Sequence, residues 1–315
     1  MSKYCLITGG NGYIGSHIVR TLLNRGASVL SVDLQEFSVG KSSMENAKYI
    51  KCDIRNLEQL EEIFRNFDID TVLHFAALKS VYESSIIPKE YELTNVTGTL
   101  NILETMIKYD VKNLVFPSTA AVYGETQTGI FTEFSTLKPG SVYGQTKLDA
   151  ENIIRQFSSR YPLNAIIFRF FNVAGTYFTR SEEKPPDNFI PIAISNYKNR
   201  IQTTVYGSDY QTPDHTAIRD YVYIGDIVEA CLKSMDLLTL SNGYFDILNI
   251  GSGKGYSVLE VLDEIANQFG ELIPHKFGPR RPGDLPVAIA ESSRLSKILG
   301  YQNKFRLSDI ISSLI

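Results

Sequence analysis

No apolar run in the 315-residue chain approaches the ~20 residues that a membrane-spanning helix needs. Nor is there an excess of one charge: 31 basic and 35 acidic side chains leave a formal net charge of −4, without the basic footprint of a nucleic-acid binder. Cysteine is scarce. Cys5, Cys52 and Cys231 are scattered and odd in number, so they read as buried reduced thiols in a cytoplasmic protein and not as a disulfide framework. The four histidines, His17, His74, His215 and His275, lack ligand spacing, and no metal site is expected. The opening run Tyr4-Cys5-Leu6-Ile7-Thr8 has no basic region before it and no long apolar segment behind it, so no signal peptide is expected. Internal repeats and low-complexity tracts are also absent. What remains is an ordinary globular composition, 43% apolar and 21% charged, with length for one large domain or two closely joined ones.

The first half alternates. Strand-like runs fall at Tyr4–Thr8, Ser28–Asp33 and residues 48–52, 71–75, 113–117 and 165–170. Helix-length amphipathic segments separate most of them, at residues 12–25, Leu57–Asn66, 88–109 and 143–159. Gly26 follows the first as a C-terminal stop. This pitch predicts βαβ units: an α/β fold with a Rossmann-type doubly wound parallel sheet. The second half is less regular. Residues 176–188, with Pro185-Pro186, read as a loop or the entry to a new layer. Residues 219–235 and 247–251 read as a return to the sheet, 257–269 as an amphipathic helix, and 275–285 as a basic, proline-punctuated loop. The expected division is a dinucleotide-binding domain over 1–172, rejoined by 219–251, and a smaller substrate-binding portion over 173–218 and 252–315.

Gly9-Gly10-Asn11-Gly12-Tyr13-Ile14-Gly15 follows the first strand and opens the first helix. Such glycines permit a tight turn, a close approach of backbone to a pyrophosphate, and packing of helix on strand. The helix N-terminus then offers free N–H groups to the anion. Asp33 ends the second strand, where a carboxylate can accept from both ribose hydroxyls and would repel a 2′-phosphate. The expected cofactor is therefore NAD. Asp53, at the end of the third strand, is placed to bond an adenine amino group or to cap a helix start.

Tyr143-Gly144-Gln145-Thr146-Lys147 sets a phenol and an ammonium four residues apart, one turn apart on a helix face. A nearby Lys⁺ and an oxidised nicotinamide would lower a phenol pKa from its usual ~10 towards the range of a useful general base. Thr119 falls at the carboxyl end of a strand, where a doubly wound sheet places functional groups. Its hydroxyl can bond a reacting oxygen and relay a proton to Tyr143.

With these residues in place the chain resembles the extended short-chain dehydrogenases/reductases, and within them the UDP-glucose (UDP-galactose) 4-epimerases. The likeness rests on residues 8–16, His74-Phe75-Ala76-Ala77-Leu78-Lys79-Ser80-Val81, Asn95-Val96-Thr97-Gly98-Thr99, residues 118–124, 143–147, Phe168-Arg169-Phe170-Phe171-Asn172, Arg219-Asp220-Tyr221 and Gly283-Asp284-Leu285-Pro286. It implies NAD contacts at Gly9, Gly12, Tyr13, Ile14, Gly15, Asp33, Asp53, Ile54, Phe75, Ala76, Lys79, Asn95, Tyr143, Lys147 and Phe171. On the substrate side it implies Lys79 and Thr119, Asn172 at the diphosphate, Asn188, Tyr206 beside uracil, Arg219 and Arg281 on phosphate oxygens, Asp284 on ribose, and Ala288 at the sugar wall. The implied reaction is a reversible oxidation at sugar C4 through a 4-keto intermediate that turns before reduction. Tyr143 is the base, Lys147 tunes it, and Thr119 relays the proton. The small Ala288 implies room for an N-acetyl group. A homodimer through a four-helix bundle of residues 88–109 and 143–159 is also implied. Two positions depart from the family pattern: Thr119 stands where Ser is usual, and Thr94 precedes Asn95 where Asn is usual. The ending at Ile315 implies a short last helix. Ala120 and Ala121 occupy the positions of a dehydratase's acid–base pair, which argues against dehydration. A nucleotide-sugar reductase or dehydrogenase, or a non-catalytic NAD-binding regulator, stays open as an alternative.

Overall fold

The structure, a computed structural model, describes residues 3–36, 46–124, 126–178, 188–281 and 283–315. In chain order the strands are β1 (Tyr4–Thr8), β2 (Ser28–Asp33), β3 (Ala47–Lys51), β4 (Ile69–His74), β5 (Asn113–Thr119), β6 (Ile130–Phe131) and β7 (Asn164–Phe170). They continue as β8 (Asn172–Ala174), β9 (Thr203–Tyr206), β10 (Ile218–Tyr223), β11 (Phe245–Ile250), β12 (Gly255–Ser257), β13 (His275–Gly278) and β14 (Val287–Ala290). Two compact units emerge. One comprises Met1–Val122, Pro139–Arg169 and Val228–Ile247, the other Tyr123–Lys138, Phe170–Ile227 and Leu248–Ile315.

The first unit is built on a seven-stranded sheet of order β11-β7-β5-β4-β1-β2-β3. Neighbours β2·β3, β1·β2, β1·β4 and β4·β5 are parallel. Both faces of the strands are buried: Leu6, Leu30, Val72 and Leu114 on one, Cys5, Ile7, Val29 and Leu73 on the other. That is why these strands read as near-continuous apolar runs. On the first face the sheet packs against Leu60, Ile63 and Phe64 of the helix Leu57–Asn66, Ile102, Leu103 and Met106 of Gly98–Lys108, and Ala150 and Ile154 of Val142–Arg160. Asn56 caps the first of these helices and Ser141 the last, each accepting a backbone N–H at 3.1 Å. Strand order reverses between β1 and β4, the switch point at which doubly wound sheets bind ligands.

One expected element is broken. In place of a single helix over residues 88–109 stand a helical turn Pro88–Tyr91, a π-helical turn Glu92–Thr97 and an α-helix Gly98–Lys108. A π turn adds one residue without disturbing the apolar pattern on either side, so periodicity does not reveal it. Gly98 lets the Ile54 side chain pack against the helix, since a Cβ there would lie 2.6 Å from Ile54 Cδ1.

The second unit holds a sheet of order β12-β10-β14-β6, with β8 also paired to β10. This corrects the expectation that residues 219–235 rejoin the first sheet. β10 pairs parallel with β14 and β8 and antiparallel with β12, and only from Val228 does the following helix belong to the first unit. β11, by contrast, does join the seven-stranded sheet. Asp220 locks β10 in place: fully buried, its carboxylate accepts from Ser252 N and Oγ at 2.6 Å and from Gly253 N and Ala290 N at 3.0 Å. Residues 275–285, expected as a loop, begin with β13, which pairs parallel with β9. Four mostly exposed residues are too short a run for strand alternation to register. Of the expected loop 176–188, residues 179–187 with Pro185-Pro186 lie outside the described residues. The terminal helix is the short Leu307–Ser312.

Candidate active site

The carboxyl edge of the large sheet collects the first group of site residues. Gly9 leaves β1 with φ +71° and runs against the end of β4. A Cβ there would lie 2.6 Å from Ala76 N and 2.8 Å from Phe75 O. At Gly15 a Cβ would lie 2.2 Å from Gly9 O. Only glycine fits either place, and the packed turn brings Gly12 to the cap of the helix Tyr13–Asn24. No side chain caps that helix and no acidic residue lies in its first turn, in keeping with an N-terminus that receives an external anion. Tyr13 and Ile14 occupy its first two positions. Asp33, at the end of β2, accepts Asn11 N and Gln35 N at 3.0 Å, one on each carboxylate oxygen. It thereby holds the glycine turn from the side. Asp53 is differently engaged: Arg55 grips both its oxygens at 2.7–3.0 Å and holds its carboxyl below the usual range. Arg55 also reaches Glu90 at 2.7 Å. Asp53 here pins a turn in addition to whatever it offers a ligand. The Ile54 carbonyl accepts from Asn101 at 3.0 Å.

Tyr143 and Lys147 lie one turn apart on the helix Val142–Arg160, but with electrostatics other than those expected. Thr119 ends β5 beside the Tyr143 phenol, and its hydroxyl favours the phenolate. Burial outweighs that effect and pushes Tyr143 up to about 12. The Lys147 ammonium is 4% exposed and donates to Pro117 O at 2.8 Å. It also lies over the Phe116 ring at 4.6 Å. Burial lowers it to about 7, against the opposing pull of the Glu151 carboxylate. The expected lowering of Tyr143 by Lys147 is therefore not a property of the protein alone: the lysine's charge is turned to a carbonyl and an aromatic face. His74 sits on the neighbouring strand, bonded to Thr8 Oγ1 at 2.7 Å and Thr99 Oγ1 at 3.1 Å. Burial and then the Lys147 charge push it down to about 3, so it is a neutral strut.

Behind the pair lies a network that the sequence reading missed. Glu151 takes a bidentate bond from Arg169 on β7, at 3.0 and 2.6 Å, and a 2.5 Å bond from Ser118 Oγ. Glu151 and Arg169 are 2% and 1% exposed. The signal was present: Tyr143, Lys147 and Glu151 recur every four residues, a stripe that puts an acid on a buried face. Asn95, inside the π turn, accepts Leu78 N at 2.9 Å and donates to Leu78 O at 2.9 Å and Thr146 Oγ1 at 3.1 Å. It binds the helix Val142–Arg160 to the turn that carries the exposed Lys79.

The second unit gathers the remaining predicted residues. Arg219 on β10 pairs with Asp284 at 3.1 Å and stands opposite Ala288 of β14. Arg281 lies over the Tyr206 ring at 4.2 Å, and Arg280 over Tyr210 at the same distance. Asn172 opens β8, opposite Tyr221. Asn188 donates to Val173 O, while its Oδ1 is buried with no hydrogen-bond partner among the described residues. Tyr210, which sequence reasoning missed, likewise has a buried hydroxyl without a partner among them. Phe171, expected at the cofactor, belongs to this unit and packs on Phe131 at 6.4 Å.

Residues 5–251 match the NAD dependent epimerase/dehydratase family. The chain belongs to that family. A member from Halalkalibacterium halodurans, a UDP-glucose 4-epimerase, is 38% identical over 95% of this chain and 90% of its own length. The UDP-glucose 4-epimerase of Bifidobacterium longum, solved in complex with NAD+ and UDP, superposes with a TM-score of 0.90 at 32% identity, covering 99% of this chain and 97% of that one. The UDP-Glc/GlcNAc 4-epimerase of Campylobacter jejuni superposes with a TM-score of 0.83 at 32% identity, covering 99% and 98%. Among the described residues of this epimerase/dehydratase chain, no helix is long and apolar enough to cross a membrane.

The low position of Lys147 has a consequence for stability. Unfolded, the ammonium keeps its proton to about 10.5; folded, it loses it near 7. Between those values the unfolded chain binds more protons, so this residue's contribution makes stability rise with pH. Urea unfolding from pH 7 to 10, compared with Lys147→Met, is expected to show that rise in the parent and its loss in the variant. Parallel curves would contradict the assignment.

Proposed function

We propose that the chain catalyses reversible 4-epimerisation of UDP-hexoses with tightly held NAD. The observation that carries this is Tyr143 beside Thr119, on a helix anchored through the Lys147 bond to Pro117 O, at the same sheet edge as the glycine turn. The relatives' named activity and bound ligands point the same way. The residues present fit NAD. The close packing at Gly9 and Gly15 brings backbone amides to where a pyrophosphate would be bound, and Asp33 offers a carboxylate to the ribose. Gly12, Tyr13 and Ile14 supply the helix end, and Ile54, Phe75, Ala76, Lys79, Asn95, Lys147 and Phe171 complete the proposed set. The chemistry NAD supplies when bound is reversible hydride acceptance from sugar C4.

The chain's own residues do the rest. Tyr143 removes the proton of the sugar 4-hydroxyl and later returns it, and Thr119 shares that proton. A phenol held near 12 is a poor base, so Tyr143 must be lowered in the working complex, where a cationic nicotinamide and Lys147 favour the phenolate. In the second unit, Arg219 and Arg281 offer guanidinium groups to the diphosphate. Asn172 serves the same group, Asp284 the ribose, and the Tyr206 ring the uracil. The buried Asn188 Oδ1, without a hydrogen-bond partner among the described residues, is an acceptor suited to a substrate donor. Holding the nucleotide while leaving the sugar free allows a 4-keto sugar to present either face.

We further propose a cytoplasmic homodimer. The cysteines are all buried and unpaired. Leu93 is 45% exposed at the start of the helical stretch expected to pair, and Tyr82 and Ile86 just before it are 78% and 60% exposed, an apolar surface of the kind a second subunit covers.

Incubated with UDP-galactose and no added cofactor, the purified protein should form UDP-glucose, and Tyr143→Phe should abolish turnover while NAD still co-purifies. A product that appears only with added NAD(H) would mark a reductase or dehydrogenase, and no product an inert binder. Because Ala288 leaves the sugar wall small, UDP-N-acetylgalactosamine should also turn over. Ala288→Tyr should cut that activity by about tenfold or more while sparing UDP-galactose; a parent inert towards the acetylated sugar would overturn the idea. Light scattering should give the mass of two chains, and a monomer at all concentrations would exclude the dimer.

A further inference from the structure

Tyr91 has no part in the chemistry above, yet it touches the machinery twice. Its ring is fully buried and meets the Tyr143 ring edge-on, with centroids 6.5 Å apart and planes at 83°. Its hydroxyl accepts from Ser80 N at 2.9 Å and donates to Glu83 Oε2 at 2.8 Å. Burial and the Glu83 carboxylate raise its pKa, so it stays a protonated donor. Four residues on, the Asn95 amide holds both backbone groups of Leu78. The two neighbours of Lys79 are thus held by two side chains from one stretch of chain, and that stretch also contacts the helix of Tyr143.

We propose that Tyr91 is a positioning residue that couples Lys79 to Tyr143: the hydroxyl fixes the Leu78-Lys79-Ser80 turn, and the ring fixes the orientation of the catalytic phenol. The inference rests on the functional reading above, in which both partners serve the epimerisation site. An aromatic pair of this geometry favours one ring orientation over others. Removing the hydroxyl alone leaves the ring contact but strips Ser80 N of its acceptor and Glu83 of its donor. Lys79 is then held on one side only. No residue of the UDP-binding set is touched.

The test is a mutant cycle read by UDP-galactose turnover, with the thermal midpoint and the NAD content of each protein measured alongside. Tyr91→Phe is expected to lower kcat per NAD-loaded site by about tenfold, as the two hydrogen bonds of its hydroxyl are lost, with KM changed by less than about twofold. On a Lys79→Gln background the same change should cost little more, because the two residues act as a unit. Tyr91→Leu, which also removes the ring, should cost more than Tyr91→Phe on either background. An unchanged kcat, or losses that multiply fully across the cycle, would overturn the coupling. So would a fall in thermal midpoint alone, with kcat per loaded site intact. If Tyr91→Phe does not fold, Glu83→Ala releases the same hydroxyl from outside. It should give a smaller kcat loss that vanishes on the Lys79→Gln background, and a loss that persists there overturns the proposal. A parent protein that does not interconvert UDP-galactose and UDP-glucose would instead overturn the functional reading itself.

Discussion

A carboxylate shielded from water fixes the register of the helix that carries Tyr143 and Lys147. Glu151 is bonded by Arg169 from β7 and Ser118 from β5, so the helix cannot rotate or slide against the sheet without stranding a buried charge. Stranding one member of such a pair costs about 3–5 kcal/mol, a large share of the net stability of a domain. With the middle of the helix so fixed, Lys147 one turn earlier falls under the Pro117 carbonyl, and Tyr143 one turn earlier again falls beside Thr119. The ion pair is poor evidence of stabilisation, since a well-packed apolar pair could hold a helix as firmly. What it adds is a negative charge that opposes deprotonation of the lysine.

The frame of the first unit was legible because buried parallel strands and amphipathic helices write strong patterns. β1 and β2 fall on the residues that patterning predicts, and the helix Leu57–Asn66 does so to both ends. The glycine turn and the 143/147 pair were legible for a different reason, since each depends on a few residue types at fixed spacing. What escaped were features set by tertiary partners. β10 looks like a return to the main sheet because its apolar character says only that it is buried, not which strands bury it. β13 is short and exposed. Asp53 was weighed for adenine or for a cap, and its ion pair with Arg55 depends on how one turn folds. The electrostatics at Tyr143 were hardest, because spacing puts Lys147 near but cannot say that its charge is spent on a carbonyl and a ring.

The two units divide the chemistry by the kind of precision each part needs. Proton transfer tolerates little displacement, and the residues proposed for it sit at the ends of strands and on a capped helix. Nucleotide recognition needs charge and stacking surfaces, and the residues proposed for it lie on short strands and their connections, where Arg281 covers Tyr206 and Arg219 meets Asp284. The Asp220 carboxylate gives even that region a rigid member, by gathering the amides of the 252–253 turn and of Ala290 onto β10.

The π turn at Glu92–Thr97 can be regarded as a change of reading frame inside one helix. Residues before it are in phase with the turn at Lys79; residues after it are in phase with the core beneath β4 and β5. Either frame alone would be satisfied by an ordinary α-helix, and only the single extra residue lets one continuous segment serve both. A lineage that lost that residue would keep its hydrophobic pattern, its helix and its fold, and would put Asn95 out of step with the loop it holds. Length in this segment is therefore constrained more tightly than composition, and substitutions should accumulate there far more readily than insertions or deletions.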